Sequence, residues 1–220
     1  MPKIQYSLQA EKAKRELVEK LMEGVSPVVI VPFDTGVAAA TLNHSWFRKI
    51  RKIHTNVMIA AAGEYQDINE ACLALVDAVS RIENTFSGRE VSTDVLINDP
   101  TGIVGHISHA FRSLDIRPKA VEFILCSLAE DIKPQGVIIN SCGERRYVDG
   151  SAVICDATGN ASGLLERRIK DRRAETEEEA IVMALSVLDE VSGSDISRAE
   201  IGILKKDKEG LSFCHRWEDR

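Results

Sequence analysis

The chain has 220 residues, room for one sizeable domain or two small ones. Hydrophobic residues make up 44% and charged residues 28%, the balance of a globular protein, and with only 5% aromatics the core must be built from Val, Ile, Leu and Ala. Lys and Arg number 28 against 34 Asp and Glu, a net charge of -6 that excludes the basic surface of a general nucleic-acid binder. The five cysteines, Cys72, Cys126, Cys142, Cys155 and Cys214, include no C-x-x-C pair. That count, with a polar start after Met1 in place of an apolar leader, predicts reduced thiols in a cytoplasmic protein. No run of 18 apolar residues exists to span a membrane.

In chain order, Ala10, Ala13, Leu17 and Leu21 recur at helical spacing, with Ser7 placed to cap and Gly24 to stop, and predict a helix from Leu8 to Glu23. Its opposite face is charged. It reads as a surface helix on its own domain, the alternative being a helix that docks on a neighbouring subunit. Val28–Val31 and Val37–Ala40, separated by Asp34-Thr35-Gly36, predict a hairpin, and Pro27 and Pro32 suggest an edge or a bulge. A basic stretch from Phe47 to Ile53 precedes a strand, Val57–Ala62, that ends at Gly63. Asp67 and Glu70 have capping-box spacing and open a long helix with an apolar stripe from Ile68 to Ile82. Asp99-Pro100 is the start signal of the next helix, with Ile103, Ile107, Ala110, Phe111 and Leu114 as its buried face and Pro118 as its stop.

Further strands are predicted at Val121–Leu128, Gly136–Asn140, Arg145–Val148 and Ala152–Cys155, with Gly143 and Asp149-Gly150 as hairpin turns. A helix follows over Asn160–Arg172. Another opens on the Thr176/Glu179 capping box and carries the stripe Ile181, Ala184, Leu185, Leu188 and Val191. Strands Glu200–Lys205 and Leu211–His215 close the chain. Runs of strands alternating with pairs of helices predict an α+β fold. Its form is a four-layer αββα sandwich of two antiparallel sheets flanked by helix pairs, with an extra N-terminal helix. No linker, repeat or low-complexity tract interrupts it, so residues 8–220 read as one domain.

Local chemistry is sparse. His106 and His109 share a helix face, but no carboxylate or thiol lies at a helpful spacing and no metal site is predicted. Thr158-Gly159-Asn160-Ala161-Ser162-Gly163 could hold an anion at a helix start, yet it lacks a Walker ending and a G-x-G-x-x-G, and reads as a turn. The run from Arg167-Arg168 to Arg172-Arg173 reads as a solvated helix face. Cys142, in the turn Ser141-Cys142-Gly143, has no identifiable His partner and reads as an inert thiol. No cofactor is expected.

The order of elements meets specific residues in one family. The hairpin, then Arg48-Lys49-Ile50, then a strand ending Ala61-Ala62-Gly63, resembles the opening of a proteasome subunit. Ala157-Thr158-Gly159, Leu164-Leu165-Glu166-Arg167, Glu177-Glu178-Glu179-Ala180 and Ala199-Glu200-Ile201-Gly202-Ile203 follow in the succession of proteasome α subunits, so the likeness covers residues 7–215. Catalytic β subunits use a threonine exposed by propeptide cleavage, whose free amino group can serve as base. Here Val25 falls at that position, followed by Ser26 and Pro27, and Thr41 stands where β subunits carry an acid. Only Lys49 survives. The resemblance is therefore to the α type, and the stretch Ser7 to Glu16 looks closest to the bacterial one. The Tyr-Asp-Arg segment and Arg-Pro-Tyr-Gly turn of archaeal and eukaryotic α subunits are missing, with Arg117-Pro118-Lys119-Ala120 at the latter place.

The resemblance implies a non-catalytic α subunit of a 20S core particle, seven to a ring, with the Leu8–Glu23 helices packed between neighbours. Its implied partners are proteasome β subunits, a ring-shaped regulatory ATPase or other activator, and unfolded proteins in transit, with no nucleic acid and no membrane. Residues 1–7 form an N-terminal segment, of which Met1, Pro2, Lys3, Ile4, Gln5 and Tyr6 would gate the pore. Lys49 would receive an activator's C-terminal carboxylate between adjacent subunits, and Gly63 would let the tail's backbone approach. Two alternatives are a self-processed hydrolase with Ser26 as nucleophile, and a stand-alone ring protein with no β partner.

Overall fold

In the computed structural model, the residues described are 2–43, 45–85, 91–99, 101–113, 115–129, 132–155, 160–171, 174–192 and 198–219. Helix α1 (Pro2–Met22) leads into a hairpin of β1 (Val28–Phe33) and β2 (Gly36–Leu42), followed by β3 (Ile50–His54) and β4 (Val57–Gly63). Helices α2 (Tyr65–Thr85), α3 (Thr93–Ile97) and α4 (Ile103–Arg112) come next. Strands β5 (Val121–Ala129), β6 (Ile132–Ile139), β7 (Arg145–Val148) and β8 (Ala152–Ile154) precede α5 (Asn160–Asp171) and α6 (Glu177–Ser192). Strands β9 (Arg198–Asp207) and β10 (Gly210–Asp219) end the chain.

The strands form two five-stranded antiparallel sheets, ordered β10-β9-β2-β1-β8 and β3-β4-β5-β6-β7. Their side chains alternate between faces, so apolar runs feed two layers at once. Val28, Ile30 and Ala39 of one sheet meet Met58, Ala60 and Ile124 of the other in the central layer. On one outer face, Val29, Ala40, Ile201 and Ile203 lie under Ile181, Ala184 and Leu188 of α6. On the other, Ile59, Phe123 and Val137 lie under Ile68, Leu75 and Ile107 of α2 and α4. Three apolar layers between four structural layers make the αββα sandwich expected from the element order.

Several local readings change. α1 starts at Pro2, so Ser7 lies inside the helix and does not cap it. The basic stretch contains β3, in which Ile50 and Ile53 turn inward while Lys52 stays exposed. β1 is an interior strand; Pro32 is tolerated because β8 pairs only with Val28–Ile30 and leaves it without a neighbour on that side. Asp67 sits in the first turn of a helix that begins at Tyr65 and does not cap it. α3, capped by Ser92, precedes the expected second helix, and α4 begins after Gly102. Asp99 instead closes a turn, accepting the Thr101 N–H at 3.0 Å and its hydroxyl at 2.9 Å. Gly143 does turn β6 into β7, whereas Asp149-Gly150 carries the chain from one sheet to the other. Thr176 and Glu179 cap α6 as read, Glu179 N–H donating to Thr176 Oγ1 at 3.2 Å, though the Glu179 carboxylate accepts from Glu175 N–H at 2.9 Å. Leu114, Pro100, Ala157-Thr158-Gly159 and Arg172-Arg173 lie outside the described residues.

Candidate functional site

Strand β9 alternates Ala199, Ile201 and Ile203 toward α6 with Glu200, Gly202 and Leu204 toward the central layer. This places a carboxylate, that of Glu200, fully buried at one end of the sandwich. A buried carboxylate needs donors, and four converge on it. Asn43 Nδ2 donates at 2.6 Å, the backbone N–H groups of Lys49 and Ile50 at 3.0 and 2.9 Å, and His215 Nε2 lies 3.0 Å away. Glu200 thus pins the segment between β2 and β3, on which Lys49 sits.

Lys49 reaches back to the end of β2, and its Nζ donates to Leu42 O at 3.2 Å. Burial lowers its pKa below the usual lysine range, opposed first by the charge of Glu200 and then by Cys155. One residue before Leu42, Thr41 Oγ1 donates to Pro27 O at 2.9 Å, tying β2 to the approach to β1. Val25 N–H donates to Met22 O at 3.2 Å, which joins that approach to the end of α1. At the three positions that the resemblance aligns with a threonine-type centre stand an apolar side chain at Val25, a hydroxyl that donates to Pro27 O at Thr41, and an amine directed at Leu42 O at Lys49.

Gly63 ends β4 with φ +134, a left-handed conformation that L side chains rarely adopt. A Cβ there would stand 2.1 Å from Ala120 O and 2.8 Å from Val121 Cα. The pairing of β4 with β5 by itself demands glycine. Lys49 and Gly63 share the same end of the β3–β4 pair, since Ala61 N–H donates to Lys49 O at 2.9 Å.

Beside this end lies a cleft of about 900 Å³, walled by the second half of α1, the approach to β1, Glu122 and Cys155. Neither Lys49 nor Gly63 lines it. Glu122 Oε2 accepts Cys155 N–H at 2.7 Å across the two sheets. Burial raises the Glu122 pKa, opposed by that N–H and by Arg146. The thiols nearer the core are inert: burial pushes Cys72 up to about 11 and Cys126 up to about 12. Burial also raises Cys142, as its reading as an unreactive thiol requires. Among the described residues no three His, Cys, Asp or Glu side chains converge as a metal ion would need, His106 and His109 included.

Two features escape local sequence reasoning. Glu200 is one; its only signal is an acid within the otherwise apolar run from Ala199 to Leu204. The other is an aromatic patch beside Lys49. Trp46 is 86% exposed, Phe47 stacks on Tyr65 with ring centroids 3.6 Å apart, and Arg198 lies 4.2 Å from the Trp217 ring and 5.4 Å from that of Trp46.

No curated protein matches the chain. The family model described as "Proteasome subunit" matches residues 26–204, from the approach to β1 through most of β9, and so takes in all four layers of the sandwich. The match spans well over half of the 220 residues, and the chain belongs to the proteasome subunit family.

Proposed function

We propose that the chain is a non-catalytic α-type subunit of a proteasome core particle in the cytoplasm. It forms the outer ring, supports assembly of the β subunits, gates entry of unfolded proteins and docks a ring-shaped regulatory ATPase. One observation carries this reading. Where a catalytic subunit exposes its nucleophile, this chain has Val25, joined through a short turn to the end of helix α1 by the Val25 N–H to Met22 O bond. A valine offers no nucleophile, and a chain that continues into a helix offers no free amino group as base.

In this reading seven copies close a ring, α1 packs between neighbours, and Met1 to Tyr6 lie at the pore as its gate. The backbone of Pro2 to Tyr6 belongs to α1, so the gate is carried by the helix. Lys49 takes the activator's C-terminal carboxylate by exchanging Leu42 O for a charged acceptor, a stronger hydrogen bond. Gly63 is required by the fold and adds only room for the approaching tail.

Co-expression with a β subunit, sizing, and intact mass of the chain inside the particle test the proposal. The expected result is a complex larger than one ring containing an uncleaved chain. Loss of residues 1–25 would identify a self-processed hydrolase acting through Ser26, and a complex that never exceeds one ring would identify a stand-alone ring protein.

A further inference from the structure

Over residues 9–22, whose side chains are described, helix α1 buries little against the rest of the molecule. Val18 is buried, but Leu17 remains 41% exposed. The cleft of about 900 Å³ separates the second half of the helix, Glu16 to Met22, from Val121, Glu122 and Cys155. Among the described side chains of α1, polar anchoring is concentrated at Lys14. Its Nζ donates to Ala110 O at 2.8 Å, to Ser113 O, and to Ile116 O at 2.7 Å. Ala110 lies in the last turn of α4 and Ser113 is its C-cap. The last carbonyls of a helix lack intrahelical donors and carry the negative end of its dipole. An ammonium has three N–H donors and here meets three carbonyl oxygens. Next to it, the Arg15 guanidinium lies 5.6 Å from the centroid of the Phe111 ring, on the same helix end.

We infer that Lys14 is a positioning residue that latches the N-terminal helix onto the C-terminal end of α4, and that losing its ammonium frees α1 to swing about Gly24. Gly24 has φ +76 and no atom within 4 Å of where a Cβ would stand, so the backbone there meets no obstacle. The cleft provides the space. Gly24 and the first turn of α1 are separated by about 30 Å of helix, so a tilt of about 10° moves that turn by about 5 Å. The consequence for gating rests on the α-type reading; the latch itself does not.

The chemistry of the acceptor set decides the test. Glutamine brings two N–H donors without charge, and arginine presents a planar fork that cannot converge on three oxygens around one nitrogen. In the full chain, Lys14→Gln and Lys14→Arg should both speed amide hydrogen exchange across residues 9–22 by about tenfold or more, the weight of one charged hydrogen bond. Exchange in β4 and β5 should stay at its wild-type rate and so report an intact core. Lys12→Gln and Lys20→Gln should leave α1 unchanged.

Lys14→Cys treated with 2-bromoethylamine provides the rescue. The thiolate displaces bromide and forms a thioether ending in an ammonium at nearly lysine length, which should restore protection. Exchange within about twofold of wild type in Lys14→Gln, or no recovery after aminoethylation, overturns the latch. In particles assembled with β subunits, Lys14→Gln should raise peptide hydrolysis without an activator. Faster exchange with unchanged hydrolysis upholds the latch and counts against the gating role of α1.

Discussion

Two glutamates stand at one end of the central layer, and their surroundings treat them differently. Glu200 is met by donors from three separate segments, whereas burial leaves Glu122 with a raised pKa that a single Cys155 N–H and Arg146 only partly offset. The sign of the pH dependence follows. Below the unfolded carboxyl range both states are protonated and no charge is buried. As pH rises through the raised folded value, the folded chain must ionise a half-buried carboxyl and loses stability that the unfolded chain does not lose. Glu122→Gln keeps an oxygen for the Cys155 N–H and removes the titration. Its stability relative to wild type should therefore improve as pH rises from about 4 to about 7, read from urea midpoints; a difference constant over that range would disprove the effect. Lys49 offers a second prediction at this scale. Its backbone N–H holds Glu200 and its amine holds Leu42 O, so Lys49→Ala removes the amine while leaving the anchor. Activator-stimulated proteolysis should fall with ring assembly intact, and unchanged stimulation would show the pocket assignment to be wrong.

Among the elements, α2 shows how long-range contacts overrule a local pattern. Asp67 and Glu70 have the spacing of a capping box, yet the buried Asp67 carboxylate accepts Arg117 Nη2 at 2.9 Å through both oxygens and the Ala120 N–H at 2.8 Å, with Lys119 Nζ 3.3 Å away. The turn Arg117-Pro118-Lys119 is thereby clamped to the start of α2. Asp67→Ala should cost about 3 kcal/mol, because it strands a buried N–H and removes the counter-charge of two cations. Thermal melting checks this, and a loss indistinguishable from that of an exposed alanine substitution would refute the clamp. The pairs that read correctly from sequence, β1 with β2 and Thr176 with Glu179, are local. Asp67 acts on residues 50 and 53 positions away and Glu200 on residues 151 and 157 positions away, distances over which periodicity carries no information. β3 was hidden for another reason: this edge strand buries only Ile50, toward the central layer, and Ile53, toward the layer under α2, and its remaining residues read as a charged loop.

At the scale of the molecule, alternating strand runs and helix pairs made the four layers legible, but not how closely the sheets approach. One close contact bears on that separation. Gly202 faces Ile50 across the central layer, and a Cβ on it would stand 2.2 Å from Ile50 Cγ2, an atom of a fully buried side chain. The sheets can therefore accept a methyl group only by moving apart or by displacing Ile50. Overpacking of this kind costs about 1–3 kcal/mol, and Gly202→Ala should lose stability in that range. Ile50→Ala alone should cost about 2–5 kcal/mol by opening a cavity. In the double variant the new methyl occupies space that Ile50 has vacated, so Gly202→Ala should then be nearly neutral. The coupling in a double-mutant cycle should exceed about 1 kcal/mol, as contacting residues allow. Denaturant titration of the four proteins measures it. Additive losses would mean that the sheets absorb the methyl elsewhere, and that the Gly202–Ile50 contact does not set their spacing.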